Sequence, residues 1–320
     1  MSDNIQARSN NWAIKHRPQN FKDIILPEEN HKFISAMIAA GKIFSLTLSG
    51  PAGIGKTTTA KAICNDLNAE VLFLHGSGKD RGIESVKGRV TEFATMMSLD
   101  DQPKVIIVDE ADNMTHDAQM ALRSVIEEVA HNCSFILTCN FPGRILDAII
   151  SRCDHIRLEP TSKEEIASMK KSTAKRIVQI LNTEEVDFTP KAIMTIVNSN
   201  FPDIRKMLNL TQRFAIQNKV DDSVAGKVQQ ASTSNFYIVL KQKDLKEITE
   251  WVMTNVIDPS SFASGLWPEL MKHIDQNTLA LSIIYLNELQ TDLPIVADKH
   301  LALIAFCAKL IVQCEFTDLS

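Results

Sequence analysis

Apolar residues follow one rhythm over roughly the first half of this 320-residue chain and a different one after it. Segments 45–49, 70–74, 104–109, 134–140 and 155–158 are short, nearly unbroken apolar runs that read as strands. Val105-Ile106-Ile107-Val108 shows no polar alternation, which predicts a strand covered on both faces, as in a parallel sheet. Between the runs the spacing is helical: 28–40 before Gly41, 58–67 with Ala60, Ile63, Cys64 and Leu67, then a helix presenting Ile83, Val86, Val90, Phe93 and Ala94. Segments 117–129 and 145–150 add two more helices, and the run from strand 45–49 to strand 70–74 predicts a parallel, right-handed crossover. After Pro160 the strands stop. Ser162 and Glu165 form a capping box for a helix reaching residue 181, and helices near 190–200 and 203–218 complete a small helical lid. A polar stretch, 229–235, reads as a linker to helical patterns at 244–256, 262–274, 277–289 and 296–314. In the last of these, Leu301, Ile304, Ala305, Ala308 and Ile311 share one register and suggest a helix-helix contact for oligomerisation. The expected domains are 1–160, α/β; 161–231, a helical lid; and 232–320, all-α.

Composition narrows the class. At 44% hydrophobic the chain can bury sizeable cores, and no stretch reaches the ~20 apolar residues of a membrane span. No secretion signal is visible behind Arg8, Lys15 and Arg17, so a cytoplasmic protein is expected, in the host cytoplasm if the source is viral. The six cysteines form no C-x-x-C pair and read as reduced core residues, and the scattered histidines do not suggest a metal site. The net charge of −5 is uneven: residues 232–320 hold six lysines, no arginine and eleven acids, leaving 28 bases and 28 acids elsewhere. A local basic track for phosphates is therefore possible in the first two domains, whereas the acidic C-terminal part is a poor candidate.

Two motifs carry the candidate chemistry. Gly50-Pro51-Ala52-Gly53-Ile54-Gly55-Lys56-Thr57, followed by Thr58, satisfies the G-x-x-x-x-G-K-[ST] phosphate loop, and it lies between a strand and a helix, as the motif requires. Its backbone N–H groups can cradle a polyphosphate, Lys56 can reach the β and γ phosphates, and the Thr57 hydroxyl can take a place on Mg²⁺. Asp109 and Glu110 end the buried strand at its carboxyl edge, where open α/β sheets bind ligands. Asp109 suits the Mg²⁺ shell and Glu110 suits a water-polarising role in γ-phosphate hydrolysis. Asn140 ends the next strand and could align that water, while Asp203 caps a helix whose first turn presents Arg205. Lys79, Arg81 and Lys87, at and beside a helix N-terminus, could hold a DNA phosphate or form a solvated face. The tip containing Met96, Met97 and Leu99 could pack inside or suit a partner groove.

Together these elements resemble the AAA+ ATPase subunits of DNA sliding-clamp loaders: the replication factor C small subunits and, by size, the large subunit of T-even-type bacteriophage loaders. The resemblance rests on the Trp12 to Pro18 leader, Gly50 to Thr57, Arg81-Gly82-Ile83, Asp109-Glu110-Ala111-Asp112, Ala118-Gln119 with Leu122-Arg123, Asn140, Ser151-Arg152-Cys153 and Phe201-Pro202-Asp203-Ile204-Arg205. It covers about the first two thirds of the chain, and the last third matches only in length and helical character. It implies an AAA+ phosphate-loop domain, a lid and a C-terminal collar. It also implies roles: Trp12 and Arg17 near the nucleotide base, Asn140 as the fourth-strand sensor, Arg205 as the second sensor, and Arg152 as a finger into the neighbouring subunit's site. Arg81 and Lys87 correspond to DNA-backbone positions, and the Phe93 to Leu99 tip, with Met96, Met97 and Leu99, to the clamp-contacting segment. Gly78-Lys79-Asp80 departs from the family's usual run before R-G-I, and Met96-Met97-Ser98-Leu99 replaces an aromatic-containing tip.

The expected activity is a DNA-dependent ATPase using ATP and Mg²⁺. It would open a ring-shaped clamp and load it on primer-template DNA, in an assembly, pentameric in the family, with further copies and a companion subunit. Two alternatives are a recombination or branch-migration motor of the same class, and a nucleotide-gated scaffold subunit that does not hydrolyse.

Overall fold

The computed structural model describes residues 10–77, 83–96, 102–216, 219–221, 233–256 and 259–317. The chain divides into two compact units, Met1–Asp221 and Asp222–Ser320. This division lies ahead of the polar 229–235 stretch, and Thr233 already opens a helix, so 233–235 are not linker.

The first unit is built on a five-stranded sheet of β1 (Leu46–Ser49), β2 (Glu70–His75), β3 (Lys104–Asp109), β4 (Cys133–Cys139) and β5 (Asp154–Arg157). Every pairing is parallel and the order is β2-β3-β4-β1-β5. β1 and β2 are thus not neighbours: β3 and β4 lie between them, and the phosphate-loop strand sits between β4 and the edge strand β5. Both faces are covered, as the unbroken apolar runs require. Ile106 and Val108 join Phe135 and Leu137 in one core with Val90, Ala94, Leu122 and Val125. Val105 and Ile107 join Ile136 in a second core with Ile34, Ala60 and Ile63. The strand period of two sends alternate residues to opposite layers. All six cysteines are free and buried, and burial pushes the thiol of Cys64 up to about 12 and that of Cys153 up to about 11.

Helices α1 (Trp12–Lys15), α2 (Glu28–Ala39), α3 (Lys56–Asp66), α4 (Ile83–Thr95), α5 (His116–Val129) and α6 (Asp147–Ile150) accompany the sheet. The lid consists of α7 (Lys163–Thr183), α8 (Pro190–Asn200) and α9 (Ile204–Ala215), with a two-stranded parallel ladder of Asp187–Phe188 and Lys219–Val220. The Ser162/Glu165 capping box forms as expected, with both reciprocal bonds made.

The second unit is helical: α10 (Thr233–Lys241), α11 (Leu245–Asn255), α12 (Pro259–Ser264), α13 (Trp267–His273), α14 (Gln276–Asp292) and α15 (Lys299–Gln313). The 262–274 pattern, read as one helix, is broken into α12 and α13 by a turn at Gly265. In α15 the buried stripe is Leu303, Phe306, Cys307 and Leu310, whereas Leu301 is 63% exposed and Ala305 is exposed. The register expected to serve a helix-helix contact lies largely outside this stripe, with Ile304 and Ile311 only partly buried, and the helix is apolar nearly all round. Periodicity then cannot choose a face, and the bulkier stripe turns inward.

Candidate nucleotide site

The phosphate loop leaves the carboxyl end of β1 and enters α3 through Gly55, which stands at φ 110° and starts the helix with no side-chain cap. Backbone donors at that end are left for a ligand, and a residue with a Cβ would be strained in this left-handed conformation. Gly53 has a second constraint: a Cβ there would lie 1.8 Å from Asp203 Oδ1, and its carbonyl accepts from Ile204 N–H at 3.1 Å. The first turn of α9 therefore rests directly on the loop. Asp203 also caps α9 by accepting from Lys206 N–H at 2.8 Å.

Lys56 Nζ donates to the carbonyls of Gly50 at 2.8 Å and Pro51 at 2.9 Å and to Asn140 Oδ1 at 2.7 Å. Burial lowers its pKa, and Asp112 and Asp109 oppose that effect. Thr57 Oγ1 donates to Asp109 Oδ1 at 2.5 Å, and Thr138 Oγ1 donates to the same oxygen at 2.7 Å. This hydroxyl and carboxylate suit Mg²⁺, which takes one or two protein oxygens and completes its shell with water and phosphate.

Glu110 follows β3 in a left-handed conformation, φ 55° and ψ 45°. Its N–H donates to Thr138 Oγ1 at 3.0 Å, while its Oε2 accepts from Ser77 Oγ and Asn113 Nδ2, both at 3.2 Å. Thr138 thus fixes both acids. It was not singled out in the sequence, since an isolated strand threonine carries no motif signal.

Arg205 lies on the first turn of α9. Arg17 is depressed in pKa, first by burial, then by the nearby charge of Arg205, with Asp109 opposing. Trp12 is buried at the leader-lid contact. Its backbone N–H donates to Gln212 Oε1 at 3.0 Å, and its ring stands edge-on to His16 at 6.3 Å. So enclosed, the indole anchors the leader against the lid. Lys15 and His16 both engage Glu184, and Arg176 Nη2 donates to the His16 carbonyl at 3.2 Å.

Arg152 is turned to a different set of partners. Its guanidinium pairs with Glu127 of α5 and donates to the Ala148 carbonyl, while Cys153 beside it is buried. Gln119 is buried and donates to the Arg144 carbonyl at 3.0 Å while accepting from Leu146 N–H at 2.8 Å. Lys87 is exposed on α4, whereas Lys79 and Arg81 lie outside the described residues. Met96 is 55% exposed at the end of α4, and Met97 and Leu99 also lie outside the described residues. The end of α4 is capped by Lys104, a buried lysine that donates to the carbonyls of Phe93, at 2.9 Å, and Met96.

Comparison with known proteins agrees with this geometry. Residues 46–161 match the model of the AAA family, ATPases associated with various cellular activities, and residues 165–225 match the AAA+ ATPase lid domain of sliding-clamp-loader large subunits. The chain is 33% identical to the sliding-clamp-loader large subunit of Escherichia phage RB69, over 89% of each chain. It is 31% identical to the corresponding subunit of Enterobacteria phage T4, over 83% of this chain and 84% of that one. It is also 31% identical to a replication factor C small subunit of Sulfolobus acidocaldarius, over 95% and 96%. Among solved structures, the RuvB Holliday junction branch migration motor of Thermotoga maritima aligns with a TM-score of 0.52 at 18% identity, over 78% of this chain and 85% of that one, a likeness of fold. The phosphate loop, paired strand-end acids, fourth-strand asparagine and lid arginine lie in one fold, and relatives match nearly end to end: the chain belongs to the sliding-clamp-loader family of AAA+ ATPase subunits.

Proposed function

We propose that this protein is the ATPase subunit of a DNA sliding-clamp loader, using ATP and Mg²⁺ to open a ring-shaped clamp and close it on primer-template DNA. The observation that carries the reading is the division of the site. Lys56, Thr57, Asp109, Glu110 and Asn140 converge at the strand ends, while Arg152 is engaged by Glu127 and Ala148 on another part of the same chain. A neighbouring copy's Arg152 would complete each site, a contribution of about 10³ to 10⁵ in rate in other NTPases.

In this mechanism Lys56 exchanges its three oxygen acceptors for β and γ phosphate oxygens. Thr57 and Asp109 would hold Mg²⁺, which would supply charge neutralisation at the phosphates. Glu110, released from Ser77 and Asn113, polarises the attacking water, and Asn140 aligns it. Arg205 contacts the γ-phosphate from the lid, so nucleotide state is felt by α9. Arg17, in the leader, would border the nucleotide base.

The nucleotide-bound assembly, pentameric with a companion subunit, holds the open clamp, and hydrolysis releases it. Lys79, Arg81 and the exposed Lys87 would track the DNA backbone, and Met96, Met97 and Leu99 would meet the clamp. Leu301, exposed on α15, supports an apolar contact between C-terminal units. Among the described residues no helix is long and apolar enough to cross a membrane, and the protein is expected to act in the cytoplasm, the host's if it is viral.

Steady-state ATPase of the assembled loader, with and without clamp and primed DNA, tests the reading. Turnover should rise when both are present. A branch-migration motor would hydrolyse without any response to the clamp, and a scaffold would keep its rate unchanged in Glu110→Gln.

A further inference from the structure

Asp112 has no assigned role, yet it lies beneath the catalytic edge of the sheet. It belongs to a 3-10 turn, Ala111–Asn113, that directly follows Glu110. Its side chain is only 6% exposed. Oδ2 accepts from the backbone N–H groups of both Asn140 and Phe141, each at 3.0 Å. Oδ1 is buried with no hydrogen-bond partner.

The segment it holds has little other anchorage at this point. Asn140 is the first residue beyond β4 and is half-buried, and Phe141 is 56% exposed with the Arg144 guanidinium 4.6 Å from its ring. Hydrophobic burial does not fix the start of this turn, so the paired bonds to Asp112 define where Asn140 leaves the strand. The Asn140 side chain then meets Lys56 at 2.7 Å. A buried carboxylate with one orphan oxygen is costly, and its cost falls at the position that orients the polar end of β4.

We infer that Asp112 is a positioning residue for ATP hydrolysis, its two-fold acceptor geometry setting Asn140 at the phosphate site. What matters is the acceptor at that place rather than the negative charge. Asparagine can present one oxygen to both N–H groups, whereas glutamate keeps the charge but displaces the acceptor by a methylene.

The inference rests on Asn140 taking part in hydrolysis, so Asn140→Ala is included in the test. The measurement is steady-state ATPase of the full-length chain in its assembled loader. The variants are Asp112→Asn, Asp112→Glu, Asp112→Ala and Asn140→Ala, plus Asp112→Glu combined with Asn140→Ala. Asp112→Glu should lower kcat by about ten- to hundred-fold while KM changes less than about three-fold, because a small misplacement of a reacting group has effects of that size. Asp112→Asn should restore kcat to within about three-fold of wild type. The double variant should be no slower than Asn140→Ala alone, since both changes remove one function. Hydrogen exchange at the Asn140 and Phe141 amides should accelerate in Asp112→Glu and stay slow in Asp112→Asn. If the glutamate variant does not fold, Asp112→Ala takes its place in each comparison.

The reverse order, with glutamate active and asparagine inactive, would make charge the determinant and overturn the inference. Multiplicative losses in the double variant would do the same. If Asn140→Ala leaves turnover intact, the fault lies in the role given to Asn140. If it abolishes turnover while Asp112→Glu does not, only the role given to Asp112 fails.

Discussion

The carbonyl oxygen of Glu110 occupies the space beside Gly76 where a side chain would begin: a Cβ there would lie 2.1 Å from it. Gly76 N–H also donates to the Asp109 carbonyl at 2.7 Å, so this glycine joins the end of β2 to the backbone of both acids. Gly76→Ala must therefore push Glu110 out of place. The expected outcome is a kcat lowered about ten- to hundred-fold with nucleotide binding largely kept, read by steady-state kinetics alongside equilibrium titration with a fluorescent ATP analogue. Thr138 permits a second test, since one hydroxyl donates to Asp109 and accepts from Glu110 N–H. Thr138→Val preserves shape but leaves the Glu110 N–H, part-buried against β4, without its partner and removes one donor to Asp109. A stability loss of about 1–3 kcal/mol in denaturant unfolding, with slower turnover, is expected.

The leader and lid elements meet through polar contacts whose energetics can be followed with pH. Burial raises the Glu184 pKa, but hydrogen bonds from Lys15 and His16 outweigh it and hold the group below its ordinary value of 4.5. A depressed carboxyl pKa stabilises the fold fully above the unfolded value and loses that contribution as pH falls through the folded one. The contribution of Glu184 to the docking of α1 on the lid should thus weaken as pH falls below about 4.5. Glu184→Gln should remove this acid dependence and cost about 1–2 kcal/mol at neutral pH, measured by thermal unfolding across a pH series. Arg17 lies directly after this contact in the chain, so the same variant should raise the KM for ATP. An unchanged KM would separate the leader's anchorage from the nucleotide site.

For the whole molecule, the central expectation is that a competent ATPase requires two chains. Lys56→Ala protein supplies an intact Arg152 but a defective site of its own, and Arg152→Ala protein supplies the reverse. Mixing the two should restore a measurable part of the turnover that each lacks, through interfaces carrying one intact half from each. Full activity in a demonstrably monomeric Arg152→Ala protein would exclude a shared site. The Arg152–Glu127 pair is a surface ion pair of the kind worth about 0.2–1 kcal/mol, small enough for a neighbouring phosphate to displace it.

Sequence alone determined the elements whose physics is local. Unbroken apolar runs marked the strands of a doubly covered sheet, the capping box marked the start of α7, and the phosphate loop with Asp109 and Glu110 marked the chemistry, because each depends on neighbouring residues and fixed spacing. Strand order was not legible, since β1 is joined to β4 and β5 by pairings distant in the chain. Nor was the inward face of α15, where apolar residues lie on several sides and only packing against the rest of its unit could choose among them. The contacts that hold the candidate site in place, Thr138 beneath both acids, Asp112 beneath Asn140, and Asp203 against Gly53, form between isolated polar residues with no periodicity or motif. Only folding brings them within hydrogen-bond distance, where burial makes each unsatisfied group costly and so fixes the arrangement.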